Sequence, residues 1–284
     1  MRRICLIICS MWLCMGACWA GDVCYQKADS LKICQLLQEA SKQGANVNPL
    51  FFAKKFLGLP YVAHTLEVQD KEGLVVNTRQ LDCTTFVETV TALTLCARNQ
   101  RYTWCDYVKA LTAMRYHGGV IDRYPSRIHY YTDWIMQNNK RGIVTEQQSP
   151  NPPFSAVQTV KVSYMSQHPD AYKALKQHPE YVSEIRAMEK RVSGNKFRYI
   201  PRSAVNNTKL LREAIHDGDI IAITCTKPGL DIAHLGFALW REDGLHFLHA
   251  SMMRKKVLVD PLLLRDYLKV NKAYTGIRVI RINK

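Results

Sequence analysis

The sequence predicts an α+β domain in which helices precede an antiparallel sheet. Three early segments are typical of helices, because they carry apolar residues at three- and four-residue spacing or end at glycine: 30–44, 48–57 and 83–99. Five later segments are typical of strands: 220–226, 234–240, 245–250, 257–259 and 275–282. Helices first and strands later, with no Gly/Ser-rich linker between them, indicate one α+β domain.

The first twenty residues are typical of a secretory signal peptide. Arg2 and Arg3 precede a short apolar run, and small residues at 18–20 offer a cleavage site. The run is too short to span a membrane. We therefore predict a signal peptide at 1–20 and a single mature domain at 21–284. Two alternatives are a lipid anchor on Cys18, at a weak lipobox, and a buried N-terminal core helix.

Composition and charge favour a folded, basic, exported protein. Hydrophobic residues make up 47% of the chain and charged residues 22%, which predicts a globular core. The net charge of +15 becomes +13 without residues 1–20, which carry two arginines and no acid. A basic surface suits polyanions such as an acidic cell-wall polymer, an anionic membrane or nucleic acid. Export makes nucleic acid the least favoured of these partners.

The cysteines leave their pairing open. Of ten cysteines, four lie in the predicted signal peptide. Export permits disulfides. The pairings between cysteines close in the sequence are Cys24 with Cys34 and Cys96 with Cys105, but the sequence alone does not determine disulfide connectivity. No Cys-x-x-Cys pair is present, so neither a zinc ribbon nor a thioredoxin-type site is indicated.

Cys83 and His234 have the sequence outline of a cysteine nucleophile and its base. Cys83 begins a predicted helix, where exposed N–H groups and the helix dipole favour the thiolate. His234 opens a predicted strand, and Gly236 permits close approach of another backbone. Taken alone, Cys83 is equally well explained as an inert buried cysteine, and a lone histidine is more often a core residue.

Strand alternation selects His249 as the third member. If residues 241–244 form a hairpin loop, Gly236 lies opposite His249. His234 and His249 then share one face as diagonal neighbours, roughly 7–8 Å apart at the backbone. His246 falls on the opposite face. A one-residue change in loop length would reverse this assignment.

Four ordered segments resemble motifs of the NlpC-type cell-wall peptidases, which are papain-like enzymes. The segments are Gly58-Leu59-Pro60-Tyr61, Asp82-Cys83-Thr84, His234-Leu235-Gly236-Phe237 and Leu248-His249-Ala250-Ser251. The resemblance implies a papain-like NlpC-type core, with catalytic Cys83 at a helix N-terminus packed on an antiparallel sheet. It also implies that Tyr61 lies near the oxyanion site. Asp82 either contacts substrate or caps the helix.

A longer pattern is similar to the N-acetylmuramoyl-L-alanine amidase-like family. It includes 81–88, 126–130 and a large, mainly helical insert at about 100–215 between cysteine and histidine. The family implies a cysteine-dependent peptidoglycan hydrolase. Such an enzyme would cut the amide between the muramic acid lactyl group and L-Ala of muropeptides through a thioester, as a periplasmic or lipid-anchored monomer. It would need no metal and no cofactor.

Sugar binding calls for aromatic faces and planar hydrogen-bond donors. Two clusters offer them: Arg127, His129, Tyr130 and Trp134, and then Arg198 with Tyr199. For any single member, a core aromatic or a solvated basic residue is the more common role.

Three other functions compete with the amidase. A γ-D-glutamyl-diaminopimelate endopeptidase would use the same triad. Thr84-Thr85 stand where the NlpC pattern has Ser-Gly, and this departure weakens the endopeptidase alternative. A non-catalytic glycan-binding lipoprotein would keep the basic aromatic surface but leave Cys83 without a role. A zinc protein could use Cys83, His234 and His249 as ligands.

Overall fold

The structure, a computed structural model, describes residues 23–284. The predicted signal peptide at 1–20 and the alternative anchor at Cys18 therefore lie outside the described residues. Within the described part, none of the helices combines the length and the apolar character needed to cross a membrane.

One antiparallel sheet forms the centre of the fold. Two short strands, β1 (Val23–Cys24) and β2 (Leu74–Val75), pair in parallel apart from it. The sheet strands are β3 (Val144–Glu146), β4 (Ala156–Thr159), β5 (Lys196–Pro201), β6 (Ile220–Cys225), β7 (Ile232–Trp240), β8 (Leu245–Ser251), β9 (Lys256–Leu263) and β10 (Tyr274–Ile282). Their order is β4-β5-β10-β6-β7-β8-β9, with β3 also pairing β10. The predicted α+β class with an antiparallel sheet is confirmed.

Helices cover both faces of this sheet. They are α1 (Lys27–Ser41), α2 (Pro49–Ala53), α3 (Cys83–Arg98), α4 (Trp104–Arg115), α5 (Tyr131–Lys140), α6 (Tyr164–Gln167), α7 (Lys173–Gln177), α8 (Tyr181–Val192), α9 (Lys209–Ala214) and α10 (Leu264–Val270). Helix α3 packs on one face, where the Phe86 and Phe237 rings meet edge to face at 5.5 Å. On the other face, Leu268 of α10 and Leu211 of α9 pack with Phe247. The three predicted early helices are confirmed, with bounds shifted by a few residues.

The insert at 100–215 is less helical than predicted. It contributes β3, β4 and β5 to the sheet and also has an apolar cluster of its own, which includes Val160, Met165, Leu175 and Ile185. Strand β5 can join β10 because Gly276 has no side chain: a Cβ there would collide with the carbonyl oxygen of Ile200. The prediction missed these strands because they are short and lie among helical segments.

In the described part of the chain, Cys24 is not bonded to Cys34 and Cys96 is not bonded to Cys105. The Cys34 sulfur instead accepts a hydrogen bond from the backbone N–H of Trp104. Cys96 is buried in α3, and burial together with the charge of Asp106 raises the pKa of its thiol to about 12. Cys96 therefore has the properties of an inert core thiol.

Candidate active site

Cys83 is the first residue of α3, and a reciprocal cap holds it there. The Thr85 N–H donates to Asp82 Oδ1 at 2.8 Å, and the Asp82 N–H donates to Thr85 Oγ1 at 2.9 Å. Such a box satisfies two otherwise unpaired donors and fixes where the helix begins. The capping role expected of Asp82 is thus present, and the Cys83 side chain is left at the open end of the helix.

The Cys83 thiol is a weaker acid than its helix position suggests. Its sulfur lies 4.0 Å from Thr84 Oγ1 and accepts a hydrogen bond from the Leu235 N–H. Burial raises the pKa of Cys83 to about 12, and the Asp82 charge adds to the rise. Loss of hydration here disfavours the anion more than the helix end and these hydrogen bonds favour it, so burial opposes the thiolate that the helix position favours.

His234 and His249 form the predicted pair. Phe237 of β7 lies opposite Leu248 of β8, a register that puts Gly236 opposite His249 as strand alternation predicts. His234 Nε2 and His249 Nδ1 are 2.6 Å apart and share a hydrogen bond. The Arg241–Gly244 turn is closed by a hydrogen bond from the Arg241 N–H to the Gly244 carbonyl, consistent with the assumed loop.

Asp260, in β9, extends this pair to a chain of three side chains. His249 Nε2 lies 3.2 Å from Asp260 Oδ2, and the Leu262 N–H donates to Asp260 Oδ1 at 2.9 Å. His249 is fully buried and Asp260 is 4% exposed. Sequence reasoning missed Asp260 because the predicted strand stopped at Val259. His249 lies opposite Leu258, which makes Asp260 its diagonal neighbour. The local sequence does not predict this register.

Burial keeps both imidazoles neutral. It lowers the pKa of His234 to about 3, with a smaller contribution from His249, and it lowers the pKa of His249 although Asp260 opposes this shift. Two aromatic rings cover His249: the ring centroids of Phe247 and Tyr267 lie 4.6 and 5.3 Å from it. At neutral pH the resting site therefore contains a thiol and two uncharged imidazoles.

An open cleft of about 320 Å³ contains both Cys83 and His234 in its lining. Other polar side chains in its lining include Asp82, Thr84, Arg127, His129, Tyr130, Tyr131 and Asp231. Within residues 23–284, the hydrogen bonds of the Cys83 sulfur go to Thr84 and Leu235, and none joins it to the His234 ring. The sulfur thus meets β7 at the residue that follows His234.

Tyr61 lies beside this helix end, as the resemblance implies. It bridges to Leu81, next to the capping residue. Burial, with the charge of Asp82 adding to it, raises the pKa of the Tyr61 phenol to about 12. The phenol therefore keeps its proton at neutral pH and can donate a hydrogen bond.

Three predicted sugar-binding residues line the cleft, but each already has a protein partner. Arg127 is paired with Glu67 at 3.5 Å and with Glu72 at 3.6 Å. His129 Nε2 lies 3.0 Å from the Tyr124 carbonyl, and burial, reinforced by Arg127, lowers the His129 pKa to about 3. The Tyr130 hydroxyl donates to Glu189 at 2.8 Å. These side chains shape the cleft wall more than they offer open donors.

The other three predicted sugar-binding residues lie elsewhere. Trp134 is 1% exposed and stacks on Tyr131 at 4.9 Å in the core, so it is not a platform for a sugar. Arg198 and Tyr199 belong to β5, where they pair with Val157 and Ala156 of β4, and they do not line the Cys83 cleft. Aromatic and basic residues clustered in sequence were separated by the fold, because strand and helix periodicity send neighbours to different surfaces.

The geometry of the two imidazoles is that of a hydrogen-bonded pair. Nitrogens 2.6 Å apart point at each other, whereas a shared zinc ion would lie between them, about 2.0–2.1 Å from each. Across residues 23–284, no group of three or more His, Cys, Asp and Glu side chains is arranged to hold a metal ion.

The chain is similar in sequence and in structure to known amidases. Residues 51–277 match the family described as AmiA-like, N-acetylmuramoyl-L-alanine amidase-like. An N-acetylmuramoyl-L-alanine amidase from Bacteroides uniformis is 38% identical with a TM-score of 0.78, over 87% of this chain and 100% of that one. A Bacteroides fragilis protein named as a candidate xylanase is 39% identical with a TM-score of 0.75, over 81% and 99%.

A more distant structure shares the fold alone. It comes from Legionella pneumophila, with 23% identity and a TM-score of 0.69 over 90% of this chain and 94% of that one. The curated proteins contain no significant match. From the family match and the 38% identity to an amidase that is covered over its whole length, we conclude that this chain belongs to the N-acetylmuramoyl-L-alanine amidase-like family.

Proposed function

We propose that this protein is an N-acetylmuramoyl-L-alanine amidase that uses Cys83 as its nucleophile and His234 as its base. One observation carries the proposal. The Cys83 sulfur contacts the Leu235 N–H, at the strand that holds the hydrogen-bonded His234–His249 pair, inside an open cleft. A nucleophile, a base and a group that orients the base are the parts that acyl transfer through a covalent intermediate needs.

The reaction follows from the neutral resting state. His234 takes the thiol proton as the Cys83 sulfur attacks the lactyl carbonyl carbon, and a tetrahedral oxyanion forms. The C–N bond then breaks, and the L-Ala nitrogen leaves with the proton from His234. Water attacks the thioester and loses one proton to His234. When the C–S bond breaks, the sulfur takes that proton back as a thiol, and the released lactyl carboxylic acid ionises in solvent. Because thiol and imidazole begin uncharged, proton transfer accompanies attack.

Two groups are suited to stabilise the oxyanion. The Cys83 N–H belongs to the first turn of α3, where N–H groups lack helical partners, and the Tyr61 phenol stays protonated. Losing one such donor typically costs about 10²–10³ in rate. We propose that the sulfur and the His234 ring come into direct contact when substrate is bound, because catalytic hydrogen bonds are often long in the free enzyme and tighten in the Michaelis complex.

We extend the proposal to architecture and location. A cysteine at the tip of a helix packed on an antiparallel sheet supports a papain-like, NlpC-type core for the single domain at 21–284. The basic n-region of residues 1–20 supports export to the periplasm, with Cys18 as the alternative lipid anchor. Muropeptides are the proposed substrates, and the enzyme is proposed to act as a monomer.

A defined muropeptide tests the reaction. Purified protein is incubated with disaccharide-L-Ala-D-Glu-diaminopimelate, and the products are weighed by mass spectrometry. We expect a free disaccharide and a peptide that begins with L-Ala. Cys83→Ala should lower turnover by about 10⁴-fold or more while the fold is retained. The matched control is Cys34→Ala, which removes an exposed thiol in α1 and should leave turnover unchanged.

The alternatives predict different products. A disaccharide that retains L-Ala-D-Glu would identify an endopeptidase with the same triad. Binding without hydrolysis would identify a glycan-binding protein. Turnover by Cys83→Ala close to that of the wild type would refute the cysteine mechanism, whichever bond is cut.

A further inference from the structure

The residue that decides which nitrogen of His234 is basic lies outside the predicted triad. Each neutral imidazole carries one N–H, so it donates from one ring nitrogen and accepts at the other. The carboxylate of Asp260 can only accept, and it lies 3.2 Å from His249 Nε2. His249 must therefore carry its proton on Nε2, which leaves its Nδ1 as an acceptor.

The same constraint passes to the next ring. His249 Nδ1 lies 2.6 Å from His234 Nε2, and two acceptors at that distance would repel. His234 therefore carries its proton on Nε2, and its Nδ1 keeps a lone pair. That lone pair is what a general base needs to remove the Cys83 proton. The opposite tautomer would present an N–H to the thiol and could not accept its proton.

We propose that Asp260 is a positioning residue of the amidase: through His249 it sets the tautomer in which His234 Nδ1 is free to accept the Cys83 proton. This inference rests on the proposed function for its consequence in catalysis. Its structural basis, the order of the three side chains, is independent of the substrate.

The surroundings of Asp260 support a charged acceptor. Burial works against ionisation, but hydrogen bonds from His249 and the Leu262 N–H outweigh it and lower the pKa of the carboxyl. Arg254 also contributes favourable charge. The Tyr267 phenol of α10 faces the same group, and Asp260 adds to the rise in its pKa that burial causes, so it stays neutral. Asp260 is therefore an anion with one oxygen committed to Leu262 and one to His249.

Asp260→Asn separates positioning from folding. The amide can keep its oxygen on the Leu262 N–H, but its NH₂ group then faces His249 Nε2 and reverses the proton order in both rings. In a Ser-His-Asp triad such a wrong tautomer lowers kcat by about 10⁴. Here an extra imidazole intervenes, and we expect a kcat loss of about 10²–10³-fold with KM within about threefold of the wild type.

The matched control is Asp243→Asn. Asp243 lies 2.9 Å from His246 Nε2 in the turn of the same hairpin, and His246 Nδ1 meets Asp260 at its backbone carbonyl, at 3.4 Å, not at its carboxylate. Removing the negative charge of Asp243 should leave kcat unchanged. If Asp243→Asn lowers kcat as much as Asp260→Asn, the loss reflects hairpin stability and the proposal is overturned.

Ring nitrogen NMR tests the inference without any activity. In ¹⁵N-histidine-labelled wild-type protein, both His234 and His249 should be protonated on Nε2, and Asp260→Asn should move the proton of each to Nδ1. A wild-type His234 protonated on Nδ1 would overturn the proposal even if the variant did not fold. If the tautomers are as stated but no muropeptide is cleaved, the proposed function fails while the positioning role stands.

Discussion

Gly236 gives a sharp test of how tightly the histidine pair is held. A Cβ built at Gly236 would lie 2.6 Å from the Leu248 carbonyl oxygen and 2.8 Å from the Cβ of His249. Real Cβ atoms make ordinary contacts at 3.4 Å or more, so Gly236→Ala requires β7 and β8 to separate by about 0.8 Å. His249 itself is one of the residues that would have to shift.

The expected cost has two separate parts. Overpacking of this kind destabilises a fold by about 1–3 kcal/mol, which corresponds to roughly 2–4 °C in Tm per kcal/mol for a domain of this size. A misplacement of about 1 Å in a catalytic group costs about 10² in rate. We therefore expect Gly236→Ala to lower Tm by several degrees and to lower kcat by about 10²-fold.

Gly276→Ala is the matched control. Its Cβ would collide with the Ile200 carbonyl oxygen and lie 2.8 Å from the Pro201 Cα, between β10 and β5, so it also strains a strand pair. Because β8 takes no part in that pair, kcat should not change. Calorimetry gives Tm, and muropeptide turnover well below both Tm values gives kcat. Gly236→Ala with kcat near that of the wild type, or Gly276→Ala with an equal loss of kcat, would refute the reasoning.

Two further predictions concern ionisation. Burial raises the Cys83 pKa to about 12, so the reactive thiolate fraction grows about tenfold per pH unit below that value. Alkylation of Cys83 by iodoacetamide, followed by peptide mapping, should therefore accelerate about tenfold per pH unit from pH 7 to 9. A fast rate that does not depend on pH would contradict this prediction. Asp29, fully buried, accepts hydrogen bonds from Thr78 and Gln26 that outweigh burial and lower its pKa. Asp29→Ala should cost about 3 kcal/mol of unfolding free energy near pH 7. A lowered pKa stabilises the fold above the unfolded-state value, so the difference should shrink as pH falls through the folded-state pKa. Denaturant titration that shows the same difference at acidic pH would contradict the assignment.

Local pattern was enough to predict the elements that hold the predicted nucleophile and base. Asp82 ahead of a three-four apolar spacing predicts that Cys83 begins a helix, and the cap is present. Strand alternation across a four-residue loop predicts that His234 and His249 share a face, and their rings are hydrogen-bonded. Both inferences succeed because helix and strand periods are properties of a few consecutive residues.

The tertiary structure decided everything that depends on what covers a residue or which strand lies beside it. Asp260 contacts His249 because of the register between β8 and β9. That register depends on the length of the turn between the two strands, which the sequence alone does not give. Trp134 is indistinguishable in sequence from a sugar platform, yet it is buried in the core. Burial by distant segments raises the pKa of the Cys83 thiol. The sequence by itself determined that Cys83 begins a helix and that His234 and His249 share one face of a hairpin. Register between distant strands and loss of hydration arise only when segments far apart in the chain come into contact.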